Sequence, residues 1–205
     1  MLTVFTILSG EAAQARTGRI VALGDSLTAG FGLFNSDGFT AKLEAALRAK
    51  GWDVTIINAG VSGDTAAGGL ARLAWSVPPD ADGVIVELGA NDMLRGADPD
   101  LTRQELGKIL ERLHTRNLPV LLAGMRAAPN LGAEYGQRFE AIYTDLAHTY
   151  PVIFYPFFLD GVAGQRQLTQ MDGLHPTADG VDVIVAAILP YAEKLLQAAR
   201  ARTGP

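Results

Sequence analysis

The sequence predicts a single α/β domain in which helices cover both faces of a parallel β-sheet. Two observations indicate this fold class. Short apolar runs rich in β-branched residues alternate with segments of helical periodicity, and no repeat or Pro-rich linker divides the 205 residues. The proportions of hydrophobic residues, 48%, and charged residues, 19%, are those of an ordinary folded protein with one core.

Five short apolar runs are the predicted strands. Each run stops at small or polar residues, as expected where a buried strand passes into a loop. They cover residues 19–23, 54–58, 83–88, 119–123 and 152–155.

Segments of helical periodicity lie between and after these strands. They cover residues 39–50, 65–74, 102–116, 135–149 and 178–201. The first ends at Lys50-Gly51, where a basic last turn meets a residue that tolerates a left-handed cap. Pro190 lies inside the last segment and predicts a kink or a break, because proline lacks the N–H that a helix interior needs.

Polar loops follow the first three strands and precede the last helix. Functional groups in parallel sheets collect beside the carboxyl ends of the strands, so these loops are expected to meet at one edge. They cover residues 24–28, 59–65, 89–92 and 172–175.

Ser26 lies in the first of these loops and is the candidate nucleophile. A serine hydroxyl is weakly nucleophilic at neutral pH, so it needs an imidazole to take its proton and an acid to orient that imidazole. His114 and His148 fall within helical segments, whereas His175 lies in a loop with glycine and proline. Asp172, three residues earlier, is placed to orient the ring of His175, although an aspartate before glycine also caps turns.

Three donors are predicted for the negative oxygen of a tetrahedral intermediate. They are the backbone N–H groups of Ser26 and Gly63 and the side-chain amide of Asn91. The alternatives are that Gly63 only permits a tight turn and that Asn91 bonds to its own loop. Asp25 and Asp64 are interpreted as loop-shaping residues at helix N-termini rather than as the triad acid.

Four apolar side chains in the loops after the third and fourth strands are candidates for the substrate pocket. They are Met93, Leu94, Met125 and Leu131. Flexible methionines accommodate several shapes of acyl or aryl group. The alternative is that these side chains only pack the base of their loops.

The composition excludes several classes of function. A net charge of -5 without a basic patch argues against a nucleic-acid partner. The absence of cysteine excludes a disulfide, a thiolate metal site and a thiol nucleophile. We expect no metal, no cofactor and no membrane span, and a small-molecule partner.

Residues 1–15 combine a short apolar run with Ala13-Gln14-Ala15, a small-residue pattern typical of signal-peptide cleavage sites. They are predicted to be a signal peptide or an N-terminal extension, with the single domain at residues 16–205. If residues 1–15 are a signal peptide, we expect a periplasmic or secreted protein. If they are not, we expect a cytoplasmic protein.

The four polar loops resemble, in order, the four sequence blocks of the GDSL or SGNH hydrolase family. The matching residues are 24–27, 60–63, 89–92 and 172–176. Further phrases, such as residues 69–73 and 155–158, are similar to those of the bacterial periplasmic members that act as thioesterases, lysophospholipases and arylesterases. The resemblance implies a flavodoxin-like three-layer α/β/α fold with sheet order 2-1-3-4-5.

The resemblance also implies roles for the candidate residues. Ser26 would be the nucleophile, His175 the base and Asp172 its partner, with Ser26, Gly63 and Asn91 forming the oxyanion hole. The sequence therefore predicts a cofactor-free serine esterase for short-to-medium acyl or aryl esters, with thioesters or lysophospholipids as further substrates.

Two other functions stay open at this point. A carbohydrate deacetylase on the same fold predicts exposed aromatic residues near the site, whereas Trp52 and Trp75 fall elsewhere in the chain. A noncatalytic small-ligand-binding module is disfavoured, because residues 24–28 lack the lysine of a P-loop and Asn35 interrupts a dinucleotide-binding pattern.

Overall fold

A computed structural model describes residues 17–203, and the predicted signal peptide at residues 1–15 lies outside the described residues. Five parallel strands form one sheet in the order β2-β1-β3-β4-β5, which confirms the predicted sheet order. The strands are β1 Gly18–Gly24, β2 Val54–Gly60, β3 Gly83–Glu87, β4 Val120–Ala123 and β5 Ile153–Tyr155.

Seven α-helices flank the sheet within the described residues. They are α1 Ser26–Ala29, α2 Phe39–Ala49, α3 Ala66–Ser76, α4 Ala90–Leu94, α5 Pro99–Thr115, α6 Ala133–Thr149 and α7 Ala178–Thr203. Helices α2 and α7 pack together on one face, whereas α3, α5 and α6 form the layer on the other. Along residues 17–203, no helix is both long and apolar enough to cross a membrane.

The central strands are buried on both faces, which explains their continuous apolar sequences. All five residues of β3 and the last five of β1 are buried. The covering helices are apolar on one side only. In α5, for example, Leu106, Ile109, Leu110 and Leu113 are buried at the spacing of one helix face.

Helix α5 begins at Pro99, three residues before the predicted start at Thr102. Asp98 caps it, with its carboxylate accepting a hydrogen bond from the Asp100 N–H at 3.1 Å. Proline suits the first turn because its missing N–H has no partner there in any helix. The apolar periodicity begins later than the helix, and so the sequence-based boundary was wrong.

The last helix runs through Pro190 without the predicted break. Pro190 and Ala186 both lie on the exposed side of α7. The carbonyl that loses its helical donor is that of Ala186, four residues earlier, and on this side of the helix it faces solvent. The helix therefore continues without burying an unpaired carbonyl.

The fold places the predicted polar loops together. From β1 the chain first adds β2 on one side and then β3 on the other, so the strand order reverses at β1. The loops after β1 and β3 border the crevice at this point, where ligands bind in sheets of this kind. Helix α1 follows β1 after one residue, and α4 follows β3 after two.

Candidate active site

Ser26 is the first residue of α1, at the carboxyl end of β1. The preceding Asp25 caps this one-turn helix, and its carboxylate accepts a hydrogen bond from the Leu27 N–H at 3.0 Å. The end of a central strand and the capped turn together fix the position of the Ser26 hydroxyl at the sheet edge.

The predicted triad residues lie in one hydrogen-bonded series. The Oγ atom of Ser26 is 2.8 Å from Nε2 of His175, and Nδ1 of His175 is 2.6 Å from Oδ2 of Asp172. Ser26 and His175 are 149 residues apart in sequence, so only the folded sheet brings them together. A nucleophile bonded to a base that an acid orients is the arrangement for activating a serine hydroxyl.

Asp172 performs both of the roles considered from the sequence. Its Oδ1 atom accepts hydrogen bonds from the backbone N–H groups of Leu174, at 2.9 Å, and His175, at 3.0 Å. The Leu174 N–H and, next, the His175 ring lower the pKa of Asp172 to about 2. Asp172 therefore shapes the turn and remains an anion beside the imidazole.

Phe31 is a neighbour of His175 that the sequence did not reveal. Its ring centroid lies 4.5 Å from that of His175, and half of its surface is exposed. The amide nitrogen of Gln170 donates to the carbonyl oxygens of Phe31, at 2.8 Å, and Pro176, at 2.9 Å. These contacts join the loop after α1 to the loop that carries His175.

Gly63 lies in the loop after β2 with a φ of 82°, a backbone conformation that side chains with a Cβ rarely adopt. Its carbonyl oxygen accepts a hydrogen bond from Nη2 of Arg95 at 2.7 Å. Arg95 directly follows α4, so this bond ties the Gly63 loop to the helix that carries Asn91. Gly63 is not part of the lining of the cavity beside Ser26.

Asn91 lies in α4, not in the loop expected from the sequence. Its Nδ2 atom donates to Oδ2 of Asp25, at 3.0 Å, and to the carbonyl oxygen of Asp64, at 2.9 Å. Both amide hydrogens therefore have acceptors within the protein. A negative oxygen bound at this position would have to share one of them.

Asp64 is held by Arg72, a buried residue that was not identified as important from the sequence. Nε of Arg72 is 2.6 Å from Oδ2 of Asp64, and its other nitrogens donate to the carbonyl oxygens of Ala59, at 2.7 Å, and Gly24, at 2.8 Å. Thr65, and not Asp64, caps α3. Asp64 thus shapes its loop through an ion pair instead of the predicted helix cap.

A cavity of about 310 Å³ opens beside Ser26. Its lining includes three predicted pocket residues, Met93, Leu94 and Met125, together with Ser26, Asn91 and His175. Met93 and Leu94 lie in α4 and not in a loop. The remaining lining residues are Leu27, Ala90, Arg126, Ala127, Ala128, Pro129, Phe157, Leu159, Ala163, Gly164, Gly173 and Leu174.

Leu131 is a correction to the predicted pocket, because it does not line this cavity. It ends a short 3₁₀ turn, Pro129–Leu131, and packs half-buried against the hydrophobic core. The position of Leu131 in the chain, close to the loop that lines the cavity, therefore did not indicate where its side chain packs.

Within residues 17–203, no group of three or more His, Asp or Glu side chains could hold a metal ion.

A serine, a histidine and an aspartate in hydrogen-bond contact at the edge of a three-layer α/β/α sheet are the arrangement of a serine hydrolase. Residues 22–183 match the profile of the "GDSL-like Lipase/Acylhydrolase family". The chain belongs to this family, and the predicted family and enzyme class, a carboxylic ester hydrolase, are confirmed.

Two curated proteins and one solved structure illustrate the likeness. The chain is 36% identical to "Esterase TesA" of Pseudomonas aeruginosa over 184 residues, which cover 89% of this chain and 92% of the relative. It is 40% identical to "Thioesterase 1/protease 1/lysophospholipase L1" of Escherichia coli over 174 residues, covering 84% and 81%. The crystal structure of AlinE4, "a SGNH-hydrolase family esterase", is 48% identical with a TM-score of 0.75, covering 90% and 99%.

Proposed function

We propose that this protein is a serine esterase that cleaves esters of short-to-medium acyl or aryl groups through an acyl-enzyme. One observation carries the proposal: the series Ser26–His175–Asp172 ends at a serine that opens into a largely apolar cavity. Such a cavity suits the apolar part of an ester, while the serine meets its carbonyl carbon.

In the first step, the Oγ atom of Ser26 attacks the carbonyl carbon as Nε2 of His175 takes the hydroxyl proton. Asp172 stabilises the resulting imidazolium, since its carboxylate is 2.6 Å from Nδ1. The tetrahedral intermediate then collapses, and His175 gives the proton to the leaving alcohol or thiol. Water repeats the sequence on the acyl-enzyme and releases the acid.

The negative oxygen of the intermediate would be held by the N–H groups of Ser26 and Gly63 and by the amide of Asn91. One N–H of Asn91 would be shared between its acceptor in the protein and this oxygen. The bond forms only when the charge develops, so it favours the transition state over the bound ester. Each such donor is worth about 3 kcal/mol in serine hydrolases.

The proposal extends to thioesters and lysophospholipids, because all of these substrates offer an acyl carbonyl with a leaving alcohol or thiol. The names of the relatives, which include an arylesterase and a thioesterase–lysophospholipase, support this range. Met93 and Met125 line the cavity with flexible side chains that suit more than one acyl shape.

The test is hydrolysis of a series of p-nitrophenyl esters and acyl-CoAs by the wild type and by Ser26→Ala. We expect kcat to fall by about 10⁴-fold or more, because a lost nucleophile leaves only binding and oxyanion stabilisation. Ser36→Ala, at an exposed serine outside the cavity, should keep wild-type kcat. Wild-type activity in Ser26→Ala would disprove the assignment.

Carbohydrate deacetylation is the second candidate, and one observation favours it. Phe31 is the kind of exposed aromatic residue beside the catalytic histidine that a sugar ring can pack against. Comparing kcat/KM for acetylated xylose oligomers and for p-nitrophenyl acetate decides between the two. The esterase proposal predicts a preference for the aryl ester, and Phe31→Ala should not change that order.

We place the mature enzyme in the periplasm or outside the cell, on the pattern Ala13-Gln14-Ala15. Expression of the full chain in a bacterium, followed by mass measurement of the protein from the periplasmic fraction, tests this location. Recovery of a chain that begins at Arg16 is expected, and a full-length chain confined to the cytoplasm would contradict it.

A further inference from the structure

Glu87 is a fully buried acid that the proposed reaction does not use. It is the last residue of β3, and its side chain has no exposed surface. Its Oε2 atom accepts a hydrogen bond from the Thr28 hydroxyl at 2.8 Å and a long one from the Asp25 N–H at 3.4 Å. No described residue donates to its Oε1 atom. A buried carboxylate with one bare oxygen would be costly.

Gly24 makes the space that Glu87 occupies. A Cβ at Gly24 would lie 2.7 Å from Oε2 of Glu87 and 2.0 Å from the Thr28 hydroxyl, closer than real Cβ atoms approach. The glycine at the start of the Gly24-Asp25-Ser26-Leu27 motif therefore admits a carboxyl group from the neighbouring strand. The Glu87 carboxyl group therefore packs beneath the turn at residues 24–27, which carries Ser26.

The nearest charged neighbour of Glu87 is another buried acid, Asp25. The backbone nitrogen of Asp25 lies 3.4 Å from Oε2 of Glu87, and the charges of the two carboxyl groups act on each other. Burial and the charge of Asp25 raise the pKa of Glu87 well above its usual value, and burial raises the pKa of Asp25 to about 6. Two acids in such contact share one proton rather than both ionising.

We propose that Glu87 is protonated in the folded protein and donates its hydrogen to the Asp25 carboxylate, acting as a positioning residue for Asn91. The unpaired Oε1 atom is the oxygen that carries the hydrogen. Asp25 then remains an anion that accepts from the amide of Asn91 at 3.0 Å and from the Leu27 N–H. The proton thus holds two parts of the site in place.

The link to catalysis rests on the proposed function, in which Asn91 stabilises the negative oxygen. The protonation of Glu87 does not depend on the proposed function, because it is tested by measuring unfolding and not activity. Tyr143 of α6 and His175 of the last loop interact electrostatically with this pair. Around the pair, Arg72 of α3 donates to the carbonyl oxygen of Gly24, the carbonyl oxygen of Asp64 accepts from Asn91, and Asp92 of α4 interacts with Tyr143.

The first test compares urea unfolding of the wild type and Glu87→Gln as the pH is varied. The folded wild type keeps a proton that the unfolded chain loses above the ordinary glutamate pKa, so wild-type stability falls as the pH rises. The glutamine has no such proton but can make the same hydrogen bonds. From about pH 6 upward, the ratio of the wild-type to the variant unfolding constant should rise about tenfold per pH unit until the pKa of Glu87 is reached.

Glu111→Gln is the matched control, because Glu111 is an exposed residue of α5. The ratio of the wild-type to the Glu111→Gln unfolding constant should stay nearly constant over the same pH range. A constant ratio for Glu87→Gln as well would show that Glu87 is ionised in the folded protein, and would overturn the proposal.

The second test measures p-nitrophenyl ester hydrolysis by Glu87→Gln and Glu87→Leu. The amide of glutamine donates to Asp25 as the protonated acid does, so this variant should keep wild-type kcat. Leucine offers no donor, and we expect kcat to fall about tenfold or more with KM unchanged, as part of the oxyanion stabilisation is lost. Wild-type kcat in Glu87→Leu, or equal losses in both variants, would refute the positioning role.

Failure of the Glu87 proposal can be distinguished from failure of the proposed esterase function. The pH dependence of unfolding needs only Glu87→Gln and no activity, so it decides the protonation of Glu87 even where Glu87→Leu does not fold. Retained activity in Ser26→Ala would instead refute the esterase mechanism while leaving the unfolding result unchanged.

Discussion

His175 is held from three directions, and this fixes where its two nitrogens point. Asp172 bonds to Nδ1, Ser26 lies at Nε2, and the ring of Phe31 packs 4.5 Å from the imidazole. An acceptor at Nδ1 places the proton there in the neutral ring, which leaves Nε2 free to accept the serine proton. These contacts suit His175 to its proposed role as the base.

Replacing Asp172 with asparagine should lower kcat by about 10³- to 10⁴-fold, because the amide no longer fixes the ring tautomer or stabilises the imidazolium. The measurement is the steady-state hydrolysis of p-nitrophenyl acetate. Asp172→Asn should bind substrate with an unchanged KM. A loss smaller than tenfold would mean that another group orients His175.

The same carboxylate makes a pH-dependent contribution to stability. Its backbone partner Leu174 and the His175 ring lower the pKa of Asp172 to about 2, below the value of 3.8 expected without them. The stabilisation is therefore present above about pH 4 and is lost as the pH falls toward 2. The stability difference between wild type and Asp172→Asn, from urea unfolding, should be constant above about pH 5 and shrink below it.

The residues that the sequence revealed are those whose chemistry lies in short motifs. In the sequence, Ser26, Asp172 and His175 stand close to glycine or proline, where a reactive side chain is conspicuous. Arg72 and Glu87 could not be found in this way. Arg72 bonds to Gly24, 48 residues away, and Glu87 contacts Asp25, 62 residues away, and neither partner is visible until the strands pair.

At the scale of elements, the site depends on loops from different strands being held at fixed distances. Arg72 of α3 connects the ends of β1 and β2 with the loop at Asp64 through a single guanidinium group. Arginine suits this role because its rigid fork of donors satisfies several acceptors at once. Helix α3 therefore supports the turn at residues 24–27 and the Gly63 loop.

Arg72→Met should lower the free energy of unfolding by about 3 kcal/mol or more, because the Asp64 carboxylate loses its partner in a largely buried place. It should also reduce kcat, since the carbonyl oxygens of Gly24 and Ala59 lose their donor. Urea unfolding and ester hydrolysis measure the two effects. Arg112→Met, at an exposed position of α5, is the comparison and should change stability by less than about 0.5 kcal/mol.

Long elements were predictable from periodicity, whereas short ones were not. The five strands and five long helices appear in the predicted order, with differences at their ends. Helices α1 and α4 have 4 and 5 residues, too few for a periodic pattern, yet they carry Ser26 and Asn91. Their conformation is set by Asp25 and by the loops around them, which only the assembled sheet supplies.

At the scale of the whole molecule, the cavity is assembled from parts of the chain that are distant in sequence. Leu27 follows β1, Met93 follows β3, Met125 follows β4, and Ala163 and Leu174 come from the region before α7. No single loop defines its shape. For the proposed esterase, the preferred acyl chain length would therefore depend on how these loops pack.

Met125→Ala should shift the preferred p-nitrophenyl ester toward longer chains, because it removes a buried side chain from the cavity wall. The same change should lower the free energy of unfolding by about 2–5 kcal/mol, the usual range for replacing a buried methionine with alanine. Met171→Ala is the matched comparison, since Met171 is fully exposed and does not line the cavity. If the two variants give the same chain-length profile, the cavity is not the acyl site.

Trapping the covalent intermediate identifies the residue that forms it, which we propose is Ser26. The wild type would be incubated with a p-nitrophenyl alkylphosphonate, and the site of attachment mapped by peptide mass spectrometry. We predict one phosphonyl group per chain, attached to Ser26, with complete loss of ester hydrolysis. Attachment at another residue, or hydrolysis that continues after complete labelling of Ser26, would show that Ser26 is not the nucleophile.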